Sequence, residues 1–125
     1  MSEIITVILP WPSSALSPNS RQPWRKIEAV KAARAVAYAE TCNYIGSFGV
    51  TILLGPLAVI MDFHPPTKRH FDLDNLISRC KAYQDGIFDA LGLNDNLIVM
   101  LVARRRGAMK GGSVKISLER QEEEK

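Results

Sequence analysis

The sequence predicts an α+β fold, a small mixed sheet of about four strands packed with two main helices, in a single domain over residues 1–118. Three observations carry this. Short apolar, β-branched runs lie near both ends of the chain and in its middle. Two long stretches between them repeat their apolar residues at helical spacing. The 125 residues, 46% of them apolar, suffice for one modest core.

Ile4 to Leu9 is short, β-branched and stopped by Pro10, which suits a buried strand. Pro10 to Pro23 holds four prolines, several serines and Asn19, and so runs as an extended surface loop. Its margins carry Trp11 and Trp24, whose indoles either plug the edges of the core or meet a base or sugar. Arg25 to about Asn43 reads as a helix with Ile27, Val30, Ala33, Ala37 and Cys42 on its inner face. Its other face carries Arg25, Lys26, Lys31 and Arg34, either solvated or tracking a phosphate backbone. Val50 to Leu54 fits a strand or the end of a longer helix, and Leu57 to Phe63 is a strand ended by Pro65-Pro66. Thr67-Lys68-Arg69-His70 is a basic loop. After it, Leu73, Leu76, Ile77, Cys80, Ile87 and Leu91 recur at helical spacing, with Asp72 as N-cap and Gly92 as the stop. Ile98 to Ala103 and Val114 to Leu118 read as a closing hairpin, joined by a basic turn with Arg104-Arg105-Arg106 and Lys110-Gly111-Gly112. Residues Glu119 to Lys125 form an acidic tail expected to be disordered.

Composition narrows the class of partner. The net charge is +3, and because acids concentrate in the tail and around Asp72, the remaining body is more basic than average and suited to a polyanion. The two cysteines, Cys42 and Cys80, show no ligand spacing and read as reduced and partly buried. An acid near the N-terminus and the lack of a long apolar run point to a cytoplasmic protein with no membrane partner. No Gly-rich phosphate loop is present, so no nucleotide cofactor is expected.

The most informative stretch is Phe71-Asp72-Leu73-Asp74-Asn75-Leu76, followed by Asp89-Ala90-Leu91 and Asp95. Carboxylates gathered in space hold Mg²⁺ against phosphates. Asp72 and Asp74, at the N-cap and second position of a helix, are also explained by the helix dipole alone. Asp95 beyond the other helix end, and basic residues on both flanks, are not. A helix of about 20 residues spans about 30 Å, so Asp95 meets the pair only if the chain folds back after Gly92 or breaks near Gly86. His64 and His70 fit ordinary hydrogen bonds, with a phosphate role open to His70; Asn75 is the better supporting residue beside the acids. Asp85 and Asp89 need only solvent or a local ion pair.

With Leu9-Pro10-Trp11-Pro12-Ser13, Asn19, Phe63-His64-Pro65-Pro66 and Lys110-Gly111-Gly112, these motifs run in an order that resembles the RusA family of Holliday-junction resolvases from Ile4 to Leu118. Those are small, homodimeric, Mg²⁺-dependent endonucleases of bacteria and their prophages that cut four-way DNA junctions. The resemblance implies metal binding by Asp72, Asp74 and Asp95, Mn²⁺ as a possible substitute, a fold that unites the three acids, and paired nicks leaving 5′-phosphate and 3′-hydroxyl ends. It further implies phosphate contacts from Lys68, Arg69, His70, Arg79, Arg104, Arg105, Arg106 and Lys110. The family lysine, four residues after the second aspartate, is Ser78 here. Lys81, two turns beyond Asp74 on the same face, is the substitute expected in catalysis, and Arg79 is the other candidate. A junction-binding protein of the same fold with weak or no cleavage is the alternative, and a hydrolase of small phosphorylated substrates a third.

Overall fold

Four strands, β1 (Ile4–Pro10), β2 (Leu57–His64), β3 (Ile98–Arg105) and β4 (Ser113–Arg120), form one mixed sheet in the order β1-β4-β2-β3 in a computed structural model that describes residues 4–49 and 55–122. β4 is antiparallel to both neighbours and β2 is parallel to β3, so β1, β2 and β3 point the same way. Parallel neighbours need crossovers. Helix α1 (Pro23–Phe48) follows β1, and α2 (Leu73–Arg79) and α3 (Lys81–Leu91) join β2 to β3. The helices cover one sheet face, where Val7, Leu9, Val59, Phe63, Ile116 and Leu118 meet Ala37, Leu76, Tyr83 and Ile87. The α+β expectation therefore holds, and Val50 to Leu54 lie outside the described residues.

The predicted closing hairpin is corrected: β3 and β4 do not pair. β4 buries Val114, Ile116, Ser117 and Leu118, which present to both faces, and so takes a central position between β1 and β2. β3, which exposes Val99, Met100 and Leu101, is an edge strand laid parallel to β2. Sequence adjacency favours a hairpin, but two-sided burial decides which strand goes inside. β4 also runs past Leu118, pairing Glu119 with Ala58 and Arg120 with Leu57, and the Gln121 N–H donates to Pro56 O at 2.9 Å, so the ordered body extends beyond the expected boundary.

The single helix expected from Asp72 to Leu91 is two. It breaks at Cys80 (φ −92°, ψ 3°), whose N–H turns to Ile77 O at 3.0 Å, and not at Gly86. Gly86 instead marks the crossing of α1 and α3: a Cβ there would sit 2.3 Å from Arg34 O and 2.9 Å from the Ala37 Cβ. The small face Ala33, Ala37 and Thr41 of α1 permits that approach, with Thr41 Oγ1 donating to Ala37 O at 2.7 Å. The inner face read from sequence is corrected at two positions. Ile27, near the N-terminus of α1, is 57% exposed, and Cys42 is also exposed, one residue round the helix from buried Thr41. α1 starts with Pro23 at its first position and ends at Gly49 (φ 71°), longer at both ends than predicted. Among the described residues no helix is long and apolar enough to cross a membrane.

Candidate functional site

Because β1, β2 and β3 are parallel, their carboxyl ends share one edge, the side on which open α/β sheets bind ligands. The loops leaving that edge are packed together. A Cβ on Gly112 (φ 70°) would lie 3.0 Å from both Pro66 Cδ and the Trp11 Cβ. The Met109 N–H donates to Pro65 O at 2.9 Å, and His64 Nδ1 lies 3.0 Å from Gly107 O. Trp11 stands edge-on to Phe63 and Phe71, with centroids 6.1 and 5.1 Å away, so this indole plugs the core edge; Trp24 is exposed.

α2 begins at the same edge. Asp72 is its N-cap, with Oδ1 accepting the Asp74 N–H at 3.1 Å, and Asp74 is exposed at the second position. The next residue, Asn75, donates to Ser17 Oγ at 2.9 Å and accepts from Arg79 Nε at 2.7 Å, while Arg79 Nη1 reaches Pro12 O at 3.4 Å. Tyr83 OH donates to Pro10 O at 2.8 Å. The proline loop is thus tied to α2 and α3 by polar side chains that the sequence pattern did not single out, apart from Asn75 and Arg79. Burial, and Arg69 nearby, lower the Arg79 pKa, and its bonds go to neutral oxygens. A half-buried guanidinium held this way keeps its charge available to an anion.

Asp95 is reached by the fold-back that the distance argument required. Gly92 adopts the left-handed conformation (φ 68°, ψ 29°), the Leu93 N–H returns to Phe88 O at 3.0 Å, and the chain doubles back to a 3-10 turn opened by Asp95. There Asp95 Oδ2 accepts from Lys81 Nζ at 3.2 Å, and Asp85 Oδ1 accepts from it at 2.9 Å. Asp85 and then Asp95 raise the Lys81 pKa, which keeps it an ammonium. Lys81 and Ser78 both line a groove of about 590 Å³ together with Ile77, Asp85, Met61 and Leu101.

The three acids are not united. Among the described residues no three His, Cys, Asp or Glu side chains stand close enough to hold one ion. Asp95 ends beside Lys81, past the end of α2, whose seven residues span about 10 Å. Asp72 and Asp74 fit the donor chemistry of Mg²⁺, which takes one or two carboxylates with waters and substrate phosphates. Apart from the Asp72 cap, their oxygens have no partner among the described residues.

The arginines 104 to 106 do not form one basic turn, because strand alternation splits them across two faces. Arg105 turns to the basic loop, donating to Arg69 O at 2.6 Å and Lys68 O at 3.5 Å and lying 3.3 Å from His70 Nδ1. It staples the loop that presents Lys68, Arg69 and His70, all exposed, and Arg69 lies 5.0 Å over the Phe71 ring. Arg104 forks onto Asp62 (Nε to Oδ1 2.7 Å, Nη2 to Oδ2 3.0 Å), and Arg106 Nε reaches the same Oδ1 at 3.1 Å. Sequence reading missed Asp62. Its signal was there: an acid inside an apolar strand, with an Arg-x-Arg later in the chain. The Arg104 fork, helped by Arg106, holds the Asp62 carboxyl below the usual carboxylate range. On α1, Arg34 is committed to Asp89 at 2.6 Å, so Asp89 ties α3 to α1, and Lys26 lines the groove. Lys31 and Lys110 are exposed.

No family model matches the chain. It is similar to an uncharacterized protein of Xylella fastidiosa (strain Temecula1 / ATCC 700964), 42% identical over 102 residues that make up 79% of this chain and 65% of that protein. The chain therefore matches just under two thirds of that relative's length.

Proposed function

We propose that the chain is a Mg²⁺-dependent, structure-selective endodeoxyribonuclease that resolves four-way DNA junctions by paired symmetric nicks, leaving 5′-phosphate and 3′-hydroxyl ends, in recombination, repair or phage DNA processing. The observation that supports it best is the setting of Asp72 and Asp74: two exposed carboxylates on the carboxyl edge of the sheet, directly after the exposed cations Lys68 and Arg69 and on the helix that carries Arg79. Acids placed among cations suit a phosphodiester, whose charge the cations neutralise while the acids serve the chemistry.

Mg²⁺, or Mn²⁺ in its place, supplies charge neutralisation at the phosphate and an acidified water when bound. The chain's own residues do the rest. The cap hydrogen bond fixes Asp72, and Asp74 stands exposed in the first turn of α2, where the helix dipole favours negative charge. Asn75 and Arg79 anchor that turn to the proline loop. The break at Cys80 puts Lys81 on α3, off the α2 face of Asp74 and Ser78, but Lys81 lines the same groove as Ser78, where the resemblance places a lysine, and holds its charge against Asp95. Both partners of that pair are more than half exposed, so opening it costs no more than about 1 kcal/mol, and Asp95 is easily released toward substrate. A four-way junction has approximate two-fold symmetry, which a C2 homodimer would match with two sites.

A second reading, a junction-binding protein of weak or absent cleavage, is favoured by the position of Asp95 beside Lys81, apart from Asp72 and Asp74. Incubating the protein with an end-labelled four-way junction, with and without Mg²⁺, beside a linear duplex of the same sequence separates the two. Metal-dependent, symmetric, ligatable nicks in the junction alone support the nuclease. Tight binding with no nick in Mg²⁺ or Mn²⁺ supports the binding protein.

A further inference from the structure

The sheet face turned away from the helices carries a second cationic surface. Asp62 stands directly opposite Arg104 on β3 and Lys115 on β4, so the three side chains share that face. Arg106, two residues beyond Arg104, returns to the same side and to the same carboxylate. Three cations against one acid leave the patch at +2. Depth separates the charges: the Asp62 side chain is 4% exposed, those of Arg104 and Arg106 46% and 47%.

The hydrogen bonds leave donors pointing outward. Arg104 spends Nε and Nη2 on Asp62 and keeps Nη1. Arg106 spends only Nε, and its two terminal nitrogens, like the Lys115 ammonium, have no partner among the described residues. A planar guanidinium already fixed along one edge gives up little freedom when its other edge meets a phosphate.

We propose that this face binds the phosphate backbone of a DNA arm, with Asp62 as the positioning residue for Arg104 and Arg106, and Lys115 as a third phosphate contact. The inference rests on the junction-nuclease reading and deepens it. One arm meets the edge with Asp72 and Asp74, and a second, diverging arm lies on the outer sheet face.

Fluorescence anisotropy of a labelled four-way junction and a matched linear duplex, in EDTA over a range of KCl, tests it. Each phosphate contact contributes about 0.9 to the slope of log K against log salt. The wild type is expected to show a steeper slope with the junction than with the duplex, and R106Q and K115Q each to lower the junction slope by about 0.9. D62N, although it removes a negative charge, is expected to weaken junction binding; R106K, which keeps the charge but not the planar guanidinium set by the Nε bond to Asp62, should bind more weakly at an unchanged slope and serves if D62N does not fold. Wild-type slopes in R106Q and K115Q would overturn the surface. Tighter binding by D62N, or wild-type affinity in R106K, would overturn the positioning role. If the wild type binds and nicks junctions while these variants match it, the inference alone fails; if the wild type binds no junction, the nuclease reading fails with it.

Discussion

Replacing Gly86 by alanine sets two effects of opposite sign against each other. Gly86 lies within α3, where alanine is favoured over glycine by about 1 kcal/mol. The added Cβ, however, would lie 2.3 Å from Arg34 O, against an ordinary contact of at least 3.4 Å, so α1 and α3 must part locally by about 1 Å. The opposing atom is backbone carbonyl and cannot swing aside. Overpacking of this kind costs about 1–3 kcal/mol, and a rigid obstacle places it near the top of that range. The expected net loss is about 2 kcal/mol, which at a urea m-value of about 2 kcal/mol/M lowers the unfolding midpoint by roughly 1 M. Equilibrium urea unfolding followed by circular dichroism reads this directly. A midpoint raised by about 0.5 M, as helix propensity alone requires, would refute the close crossing of α1 and α3.

Other substitutions separate structure from chemistry. Asn caps helices as well as Asp, so D72N should stay within a few tenths of a kcal/mol of wild-type stability while losing junction cleavage, and D72A should lose both, with about 1 kcal/mol of stability. K81M is expected to change the melting temperature little, because an exposed pair is worth at most about 1 kcal/mol, yet to slow cleavage by roughly 100-fold; S78K in that background should restore part of the rate, and full activity in K81M would remove Lys81 from the chemistry. Asp62 has a folded-state pKa below its unfolded value of about 3.9, so its stabilising effect is complete above that pH and is lost as pH falls through the folded value. The stability gap between wild type and D62N, measured in urea, should hold from pH 7 to 5 and shrink below pH 4. Burial pushes the Cys80 thiol up to about 12, so iodoacetamide at pH 8 should label exposed Cys42 alone in the native protein and both cysteines after unfolding.

What the sequence made legible was local. The N-cap at Asp72, the glycine stop at 92, the strand ended by Pro65-Pro66 and the basic loop before Asp72 each follow from one or two residues, and each stands where expected. What escaped was decided between distant segments. Strand order depends on which strand is buried on both faces, and the alternation in β4 does not announce that Ser117 is covered. Gly86 reads as a weak point of a helix, but its reason lies on α1, some fifty residues earlier. The Asp62 network joins β2 to the end of β3 across 42 and 44 residues. At the candidate site the same division holds: Asp72, Asp74 and Asn75 were visible as a local motif, the fold-back of Asp95 was visible only as a requirement, and its capture by Lys81 is decided by the tertiary fold.

The proposed function places DNA cleavage on the acids at the start of α2. Comparing wild type with D74N on an end-labelled four-way junction, with binding measured in parallel, tests it most directly. Asp74 makes no side-chain hydrogen bond among the described residues, so the substitution should leave the fold and junction binding intact. Mg²⁺-dependent paired nicks are expected from the wild type, and none from D74N at matched occupancy of the junction. Nicks of equal rate in both proteins would contradict it.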